Sequence, residues 1–335
     1  MNDSQILDYS LDYNYTDFLD YNFTLEDDFR DSKQNTLFCV IYVLVCVIGF
    51  VSNALAIYVV LRYRYMWTTT NIYISSLVLG DLLYMMCLLW FAVETAYSYW
   101  SMGIVLCKVF WALTTAVAFS SSFFLTIMSI NDCLHVYFPV FSRNRLGPKA
   151  ALVISGCTWV ICLLLGIPIF RYASLDFGKS CKVWSEATSL YSITITTYQL
   201  VLAFFVPLAL VCVSLILTAN WLKSHKKHAD PSYTNVREDM ILVFALSIVY
   251  LVIWLPMHVL EIMSAVGVFT ELSETVYYLL SIVPYLKCCI YPFLYGLISQ
   301  SFNDGYKRVL CCAKAKAKNK DTECCGDKQE DKCLN

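Results

Sequence analysis

Charged residues are scarce in this chain of 335 residues. Asp, Glu, Lys and Arg together make up 15% of it, whereas apolar residues make up 59%. A soluble domain usually carries about 25% charged residues and about 45–50% apolar ones. A soluble particle of this size could not cover its surface with so few charges. The composition therefore excludes an ordinary soluble protein and predicts a chain that lies largely in lipid.

Other absences narrow the class of protein. Residues 1–36 lack the basic and apolar segments of a cleavable signal peptide, so we expect the first apolar run to direct insertion and to remain. The chain also lacks a glycine-rich phosphate loop, and its four histidines show no zinc-binding spacing with cysteine. We therefore predict no enzyme activity, no cofactor, no metal site and no nucleic-acid partner.

Seven apolar runs are long enough to span a bilayer, which takes about 20 residues in a helix. They predict an all-α membrane protein with a seven-transmembrane helix bundle over residues 37–298. Only the second and seventh runs carry a charge near the middle, Asp81 and Lys287. The runs cover residues 37–61, 71–95, 104–130, 150–170, 190–219, 240–264 and 275–298.

Lys and Arg residues in the loops set the expected orientation in the plasma membrane. They are concentrated after the first, third and fifth runs and in the C-terminal tail, for example Arg62, Arg143 and Lys223. The opposite loops carry only Lys108, Arg171, Lys179 and Lys182. This bias predicts an N-terminus outside the cell and a C-terminus inside it.

Residues 1–36 form an acidic arm on the predicted outer side. The arm carries nine acids and two bases, a net charge of −7, and the rest of the chain carries +5. Two interpretations stay open: a solvated, disordered tail, or a docking arm whose charge speeds encounter with a basic protein. Acids lie near four tyrosines that suit sulfation, namely Tyr9, Tyr13, Tyr15 and Tyr21. The arm also holds three Asn-x-Ser/Thr glycosylation acceptors, Asn2, Asn14 and Asn22.

A short amphipathic helix is predicted after the seventh run, over residues 299–312. Phe302, Tyr306 and Leu310 recur at helical spacing, with two basic residues beside them. Such a pattern is typical of a helix that lies on a membrane surface.

The end of the chain suggests further contact with the membrane. Cys311 and Cys312 directly follow the amphipathic pattern and are predicted palmitoylation sites. Residues 313–335 form a predicted cytoplasmic tail, whose lysines would attract anionic lipids.

Each apolar run carries a short residue pattern. One such pattern is weak evidence for a protein family, but all seven along the chain in one order are specific evidence. The patterns are Gly49-Phe-Val-Ser-Asn53, Leu-Gly-Asp81, Cys107, Trp159, Pro207, Trp254-Leu-Pro256 and Pro292-Phe-Leu-Tyr295. Over residues 37–312 the chain resembles the rhodopsin-like (class A) G-protein-coupled receptors. The resemblance implies a disulfide between Cys107 and Cys181. It also implies that Trp254, Pro256, Pro292 and Tyr295 take part in activation.

Within that family the chain is similar to the chemokine receptors. The similarity rests on Trp90, on Trp100-Ser-Met-Gly103, on Cys288-Cys289 before the last proline motif, and on the acidic arm. It implies a basic chemokine ligand that binds first to the arm and then to the outer half of the bundle. The matching ligand positions are Tyr42, Trp90, Glu94, Thr114, Trp254 and Tyr285. Helix packing is the alternative interpretation for each aromatic residue among them.

Several departures from the family pattern bear on signalling. Asn131-Asp132-Cys133 stands where the family has Asp-Arg-Tyr, so an acid replaces the Arg that contacts the heterotrimeric G protein. Tyr291 replaces the Asn of the Asn-Pro-x-x-Tyr motif, and Ser281 replaces the Glu that usually binds chemokine amines. Such relaxed motifs resemble virus-encoded or atypical chemokine receptors. We predict a signalling receptor with an altered coupling motif. A non-signalling scavenger and, more remotely, a membrane transporter are the alternatives.

Lys287 requires a separate explanation, since a charge at the centre of a bilayer costs about 2.5–3.5 kcal/mol on insertion scales. Asp81 lies at similar depth in the second run. In the resembled fold both positions border an internal sodium pocket, so we expect the Lys287 ammonium to take the place of the ion. The alternative is a lysine that faces lipid and extends its side chain to the interface.

Overall fold

The computed structural model describes residues 35–176, 180–183, 189–225, 231–265 and 274–317. Within these ranges, seven helices are long and apolar enough to cross a membrane, which confirms the predicted seven-helix bundle. The first four spans are α1 (Asn35–Arg62), α2 (Thr69–Tyr97), α3 (Gly103–Tyr137) and α5 (Pro148–Tyr172). The fifth span joins α6 (Ser189–Gln199), a π-helical segment (Leu200–Phe205) and α7 (Val206–His225). The sixth and seventh spans are α8 (Pro231–Ala265) and α9 (Glu274–Ile298).

Smaller elements mark the two ends of the bundle. A hairpin of β1 (Ser174–Asp176) and β2 (Ser180–Lys182) lies at the end that we call the disulfide end, because Cys181 of this hairpin is bonded to the third span. At the opposite end, called the tail end, α10 (Gln300–Ala317) follows the seventh span. The tail end also carries a 3-10 turn (Arg64–Met66) and α4 (Pro139–Arg145).

The outward surface of the bundle is apolar. Large side chains that point away from the helix contacts include Val153, Val213 and Phe244, which are 66%, 56% and 55% exposed. In water such a surface would be a large unfavourable apolar patch, whereas in a bilayer it contacts lipid. The chain is therefore a multi-pass membrane protein.

The third span packs against the second, fourth, fifth and sixth spans and so lies at the centre of the bundle. It buries several hydroxyl side chains, which would be costly in an apolar interior without hydrogen bonds. Five of these hydroxyls donate to a carbonyl of the same helix, as Ser121 does to Val117 and Thr126 does to Ser122. Small, internally bonded side chains of this kind let neighbouring helices approach closely.

Two prolines inside the spans free carbonyls that other spans then use. A proline has no N–H, so the carbonyl four residues earlier loses its helical partner. Ahead of Pro292, the Cys288 carbonyl accepts a hydrogen bond from the Asn53 amide of the first span at 2.7 Å. Ahead of Pro207, the Ala203 carbonyl accepts one from the Tyr250 hydroxyl of the sixth span at 2.8 Å. These bonds set the relative rotation of the spans around the interior.

Candidate functional site

The disulfide that the family resemblance implied is present. Cys107 at the start of the third span is bonded to Cys181 of β2. The Trp111 indole also donates a hydrogen bond to the Cys181 carbonyl at 3.2 Å. The disulfide and this bond hold the β-hairpin against the disulfide end of the bundle.

An aromatic cluster lies below the hairpin and contains three of the predicted ligand residues. Tyr285 of the seventh span stacks on Tyr84 of the second, with ring centroids 4.1 Å apart. Tyr42 is fully buried, and its ring centroid lies 5.3 Å from that of Phe91. Trp90 packs at the edge of the same cluster. Tyr42 and Tyr285 thus make helix contacts in this structure, and their part in ligand binding stays a prediction.

Two further predicted ligand positions, Glu94 and Thr114, contact backbone at this end. Glu94 is half-buried, and its carboxylate interacts with the Cys181 backbone and with the charge of Lys182. The Thr114 hydroxyl donates to the Trp111 carbonyl at 3.0 Å. Glu94 therefore joins the second span to the hairpin and brings an acid to the disulfide end.

A second acid at this end was missed by reasoning from the sequence. Glu261 of the sixth span accepts a hydrogen bond at 3.0 Å from the Nδ1 atom of His258, one turn away. The His258 ring lies 5.8 Å from Trp254 and 5.2 Å from Phe204, measured between centroids. The sequence did contain a signal for this acid, because a His and a Glu stand three residues apart in an otherwise apolar span. The Glu261 side chain is 40% exposed, so its charge is accessible.

The structure brings Lys287 and Asp81 into contact at mid-bundle, through the ammonium Nζ and the carboxylate Oδ1. Lys287 is fully buried, so its side chain does not face lipid. Its ammonium also lies 5.5 Å from the Tyr84 ring centroid and 5.6 Å from that of Tyr291. The Cys288 thiol donates to the same Asp81 oxygen at 3.3 Å. A carboxylate and two aromatic faces thus surround a cation that would otherwise be costly to bury.

The interior around this pair is polar. Asp81 Oδ2, Asn53 Oδ1 and the Tyr295 hydroxyl are buried and have no hydrogen-bond partner among the described residues. Most buried polar atoms in proteins have a partner, in protein or in water. The Lys287–Asp81 contact therefore lies within a polar patch that extends across the first, second and seventh spans.

The predicted activation residues form inter-span contacts. The Tyr291 hydroxyl donates to the Leu246 carbonyl of the sixth span at 3.2 Å. Tyr295 is fully buried and its ring packs against Phe302 of α10. Trp254 packs against Tyr250 within the sixth span, which contains Pro256. Pro292 lies inside the seventh span and frees the Cys288 carbonyl described above.

At the tail end, the Asn131-Asp132-Cys133 motif presents a buried acid to the sixth span. Asp132 is 4% exposed, and its Oδ2 atom has no hydrogen-bond partner in the described ranges. Its charged neighbour is another acid, Asp239, while Asn131 supplies a hydrogen bond. Asp239 in turn accepts a hydrogen bond from the Thr70 hydroxyl of the second span at 2.9 Å. The acid of the third span therefore interacts electrostatically with an acid of the sixth span.

Several predicted residues cannot be placed. Residues of the arm lie outside the described residues: Tyr9, Tyr13, Tyr15, Tyr21, Asn2, Asn14 and Asn22. Cys311 and Cys312 lie on α10, at positions whose side chains are outside the described residues.

These features define a class of protein: a seven-span membrane protein with a disulfide-pinned hairpin at one end and a further helix, α10, at the other. The family description "7 transmembrane receptor (rhodopsin family)" matches residues 52–295, which is more than half of the chain. The chain therefore belongs to the rhodopsin family, whose members are receptors and not enzymes.

Two individual relatives agree with this family. Somatostatin receptor type 5 of Bos taurus is 33% identical over 286 residues, which cover 82% of this chain and 76% of that receptor. Somatostatin receptor type 2 of Mus musculus is 31% identical over 319 residues, 92% of this chain and 86% of that receptor. These relatives support the receptor family, and the chemokine branch stays a prediction.

Proposed function

We propose that this chain is a plasma-membrane receptor for a basic protein ligand of the chemokine class. In this proposal the arm and the disulfide end face outward, and the tail end faces the cytoplasm. The observation that carries the proposal is the arm, which adds a net charge of −7 ahead of the first span. Electrostatic attraction of this kind speeds encounter with an oppositely charged partner.

The disulfide end supports the same ligand class. Glu94 and Glu261 bring two acids to this end from the second and sixth spans. Because Ser281 stands where chemokine receptors carry a Glu, we propose that these two acids take over the binding of ligand cations. Aromatic side chains such as Trp90 would then supply apolar contacts beside the charges.

The names of the relatives favour a second candidate, a small peptide ligand such as somatostatin. A small peptide would enter the disulfide end and would not need a long acidic arm. The two candidates therefore differ in what the arm contributes to binding.

Binding of labelled basic chemokines and of labelled somatostatin to cells that express the full chain separates the two candidates. Deletion of residues 1–30 should slow chemokine association at least about tenfold. A length-matched arm with its acids replaced by Asn and Gln should slow association as much as the deletion. Tight binding of somatostatin, unchanged by either variant, would overturn the chemokine proposal.

We further propose that the receptor signals through a G protein despite Asp132. The retained Trp254, Pro256 and Tyr295 support switching, whereas Asp132 supports the alternative of a silent scavenger. Ligand-stimulated nucleotide exchange on a G protein would support signalling. Ligand uptake without nucleotide exchange, restored to exchange by Asp132→Arg, would instead support the scavenger.

Three modifications complete the proposal. Sulfation of the arm tyrosines would add negative charge for a basic ligand, and glycosylation of the arm asparagines would follow from an outward arm. Palmitoylation of Cys311 and Cys312 would fasten α10 to the membrane. Intact-mass measurement of the purified receptor, before and after glycosidase and hydroxylamine treatment, tests all three.

A further inference from the structure

A groove at the tail end lies between the first span, the seventh span and α10. It has a volume of about 320 Å³, much larger than the roughly 30 Å³ of one water. Its walls come from Leu55 of the first span and from Phe293 and Leu297 of the seventh, and Tyr306 of α10 lies between them. Leu297 is 77% exposed, so the groove opens on the side of the bundle that faces lipid.

Two glycines allow α10 to pack close to the first and seventh spans, and this packing forms the groove. At Gly305, a Cβ atom would lie 2.3 Å from Val59, so only glycine lets α10 approach the first span this closely. At Gly296, a Cβ atom would lie 2.8 Å from the Tyr306 ring, which therefore rests directly on the seventh span. The Tyr306 hydroxyl reaches the Pro292 carbonyl at 3.4 Å. The groove is thus a product of tight packing.

The two neighbouring cations of α10 lie in different surroundings. The Arg308 guanidinium lies 5.8 Å from the Tyr63 ring centroid and 5.4 Å from that of Tyr65. Asp304 also interacts with Tyr65, so an acid accompanies this arginine. Lys307 instead lines the groove, and no described carboxylate forms an ion pair with it. The rim of the groove therefore carries a positive charge above an apolar cleft.

We propose that this groove binds one anionic glycerophospholipid, with an acyl chain in the cleft and the phosphate at Lys307. In a bilayer, apolar packing alone selects no lipid, because every lipid tail is as apolar as the groove. A basic side chain near the surface, by contrast, attracts anionic headgroups by a factor of about five. Charge at the rim therefore selects the headgroup, and the cleft fixes the position of the lipid.

Native mass spectrometry of the full receptor from nanodiscs tests the site. The nanodiscs contain equal parts of phosphatidylglycerol and phosphatidylcholine. The unmodified receptor should retain phosphatidylglycerol in preference to phosphatidylcholine. Lys307→Gln should lower this preference about fivefold. Arg308→Gln removes the same charge one residue away, outside the groove, and should leave the preference unchanged.

A second variant tests the cleft itself. Ser52 lies on the first-span side of the groove, so Ser52→Phe should fill it and lower retention of both lipids. Equal losses for Lys307→Gln and Arg308→Gln would show general surface attraction and overturn the proposal. It would also be overturned if removal of acyl groups, in the Cys311→Ser and Cys312→Ser double variant, raised lipid retention. That result would make the chain's own palmitoyl group the occupant. The proposal does not depend on which ligand the receptor binds.

Discussion

Two buried acids of this bundle lie in opposite electrostatic settings. Asp81, at mid-bundle, contacts the Lys287 ammonium and accepts a hydrogen bond from the Cys288 thiol. Asp132, at the tail end, interacts electrostatically with a second acid, Asp239, and no Lys or Arg of the described ranges forms an ion pair with it. The charge of Asp81 is therefore balanced inside the chain. Asp132 has no such counter-charge within the described ranges.

The two settings have different consequences for the stability of the bundle. A buried ion pair with good hydrogen bonds is costly to break, because the remaining partner is left unpaired. Two neighbouring acids, by contrast, repel each other when both are charged, so they do not hold spans together. We infer that the mid-bundle charges hold the second and seventh spans together, whereas the tail-end acids supply no such attraction between the third and sixth spans.

The largest expected effect comes from breaking the mid-bundle pair. Lys287→Met should lower the free energy of unfolding by about 3–5 kcal/mol, because it leaves Asp81 buried and unpaired. Asp81→Asn should have a similar effect by stranding Lys287. The double variant should recover much of the loss, since neither unpaired charge remains. Unfolding of the four purified proteins measures this cycle, and strictly additive losses would contradict the pairing.

The effect of sodium on thermal stability tests the role of Lys287 in the mid-bundle pair further. The unmodified receptor should melt at the same temperature in sodium and in potassium chloride of equal ionic strength, because Lys287 already occupies the cation position. Lys287→Met should gain about 1–2 kcal/mol from sodium once the ion exceeds its Kd about tenfold. Sodium-specific stabilisation of the unmodified receptor would contradict the idea that Lys287 replaces the ion.

Much of this architecture follows from sequence patterns, because the spans and the midplane charges depend on local composition. The pairing of Asp81 with Lys287 was anticipated from their similar depth and from the sodium pocket of the resembled fold. By contrast, the hydrogen bond between Thr70 and Asp239 depends on how two helices that are distant in sequence are rotated about their axes. Hydrophobic periodicity cannot fix such a rotation in spans that are apolar all round.

Other differences have local causes. The predicted amphipathic helix ends at residue 312, whereas α10 continues to Ala317. Ala and Lys alternate over these last residues and are strong helix formers, so the helix extends beyond its amphipathic part. The π-helical segment Leu200–Phe205 was also missed, since it lies within an apolar run that shows no change of pattern. Side-chain bonds such as Tyr250 to Ala203 compensate for its irregular backbone.

The smallest expected effect concerns the hydrogen bond that Thr70 donates to Asp239 at the tail end. Thr70→Val removes the hydroxyl that donates to Asp239 and keeps the size of the side chain. It should lower the free energy of unfolding by about 1 kcal/mol, the usual value for one hydrogen bond. Thr70→Ser keeps the hydroxyl and serves as the control. Equal losses in thermal unfolding for both variants would show that packing, and not the hydrogen bond, matters at this position.

The same isosteric change, made at each of the two acids, distinguishes their settings most directly. Asp81→Asn and Asp132→Asn each replace a carboxyl group by an amide and keep the side-chain shape. Thermal unfolding at neutral pH should show that Asp81→Asn destabilises the receptor, because Lys287 loses its counter-charge. Asp132→Asn should stabilise the receptor by about 1–3 kcal/mol, because it removes a buried, incompletely hydrogen-bonded carboxyl group next to a second acid, Asp239. Shifts of the same sign in both variants would contradict the division into a balanced and an unbalanced acid.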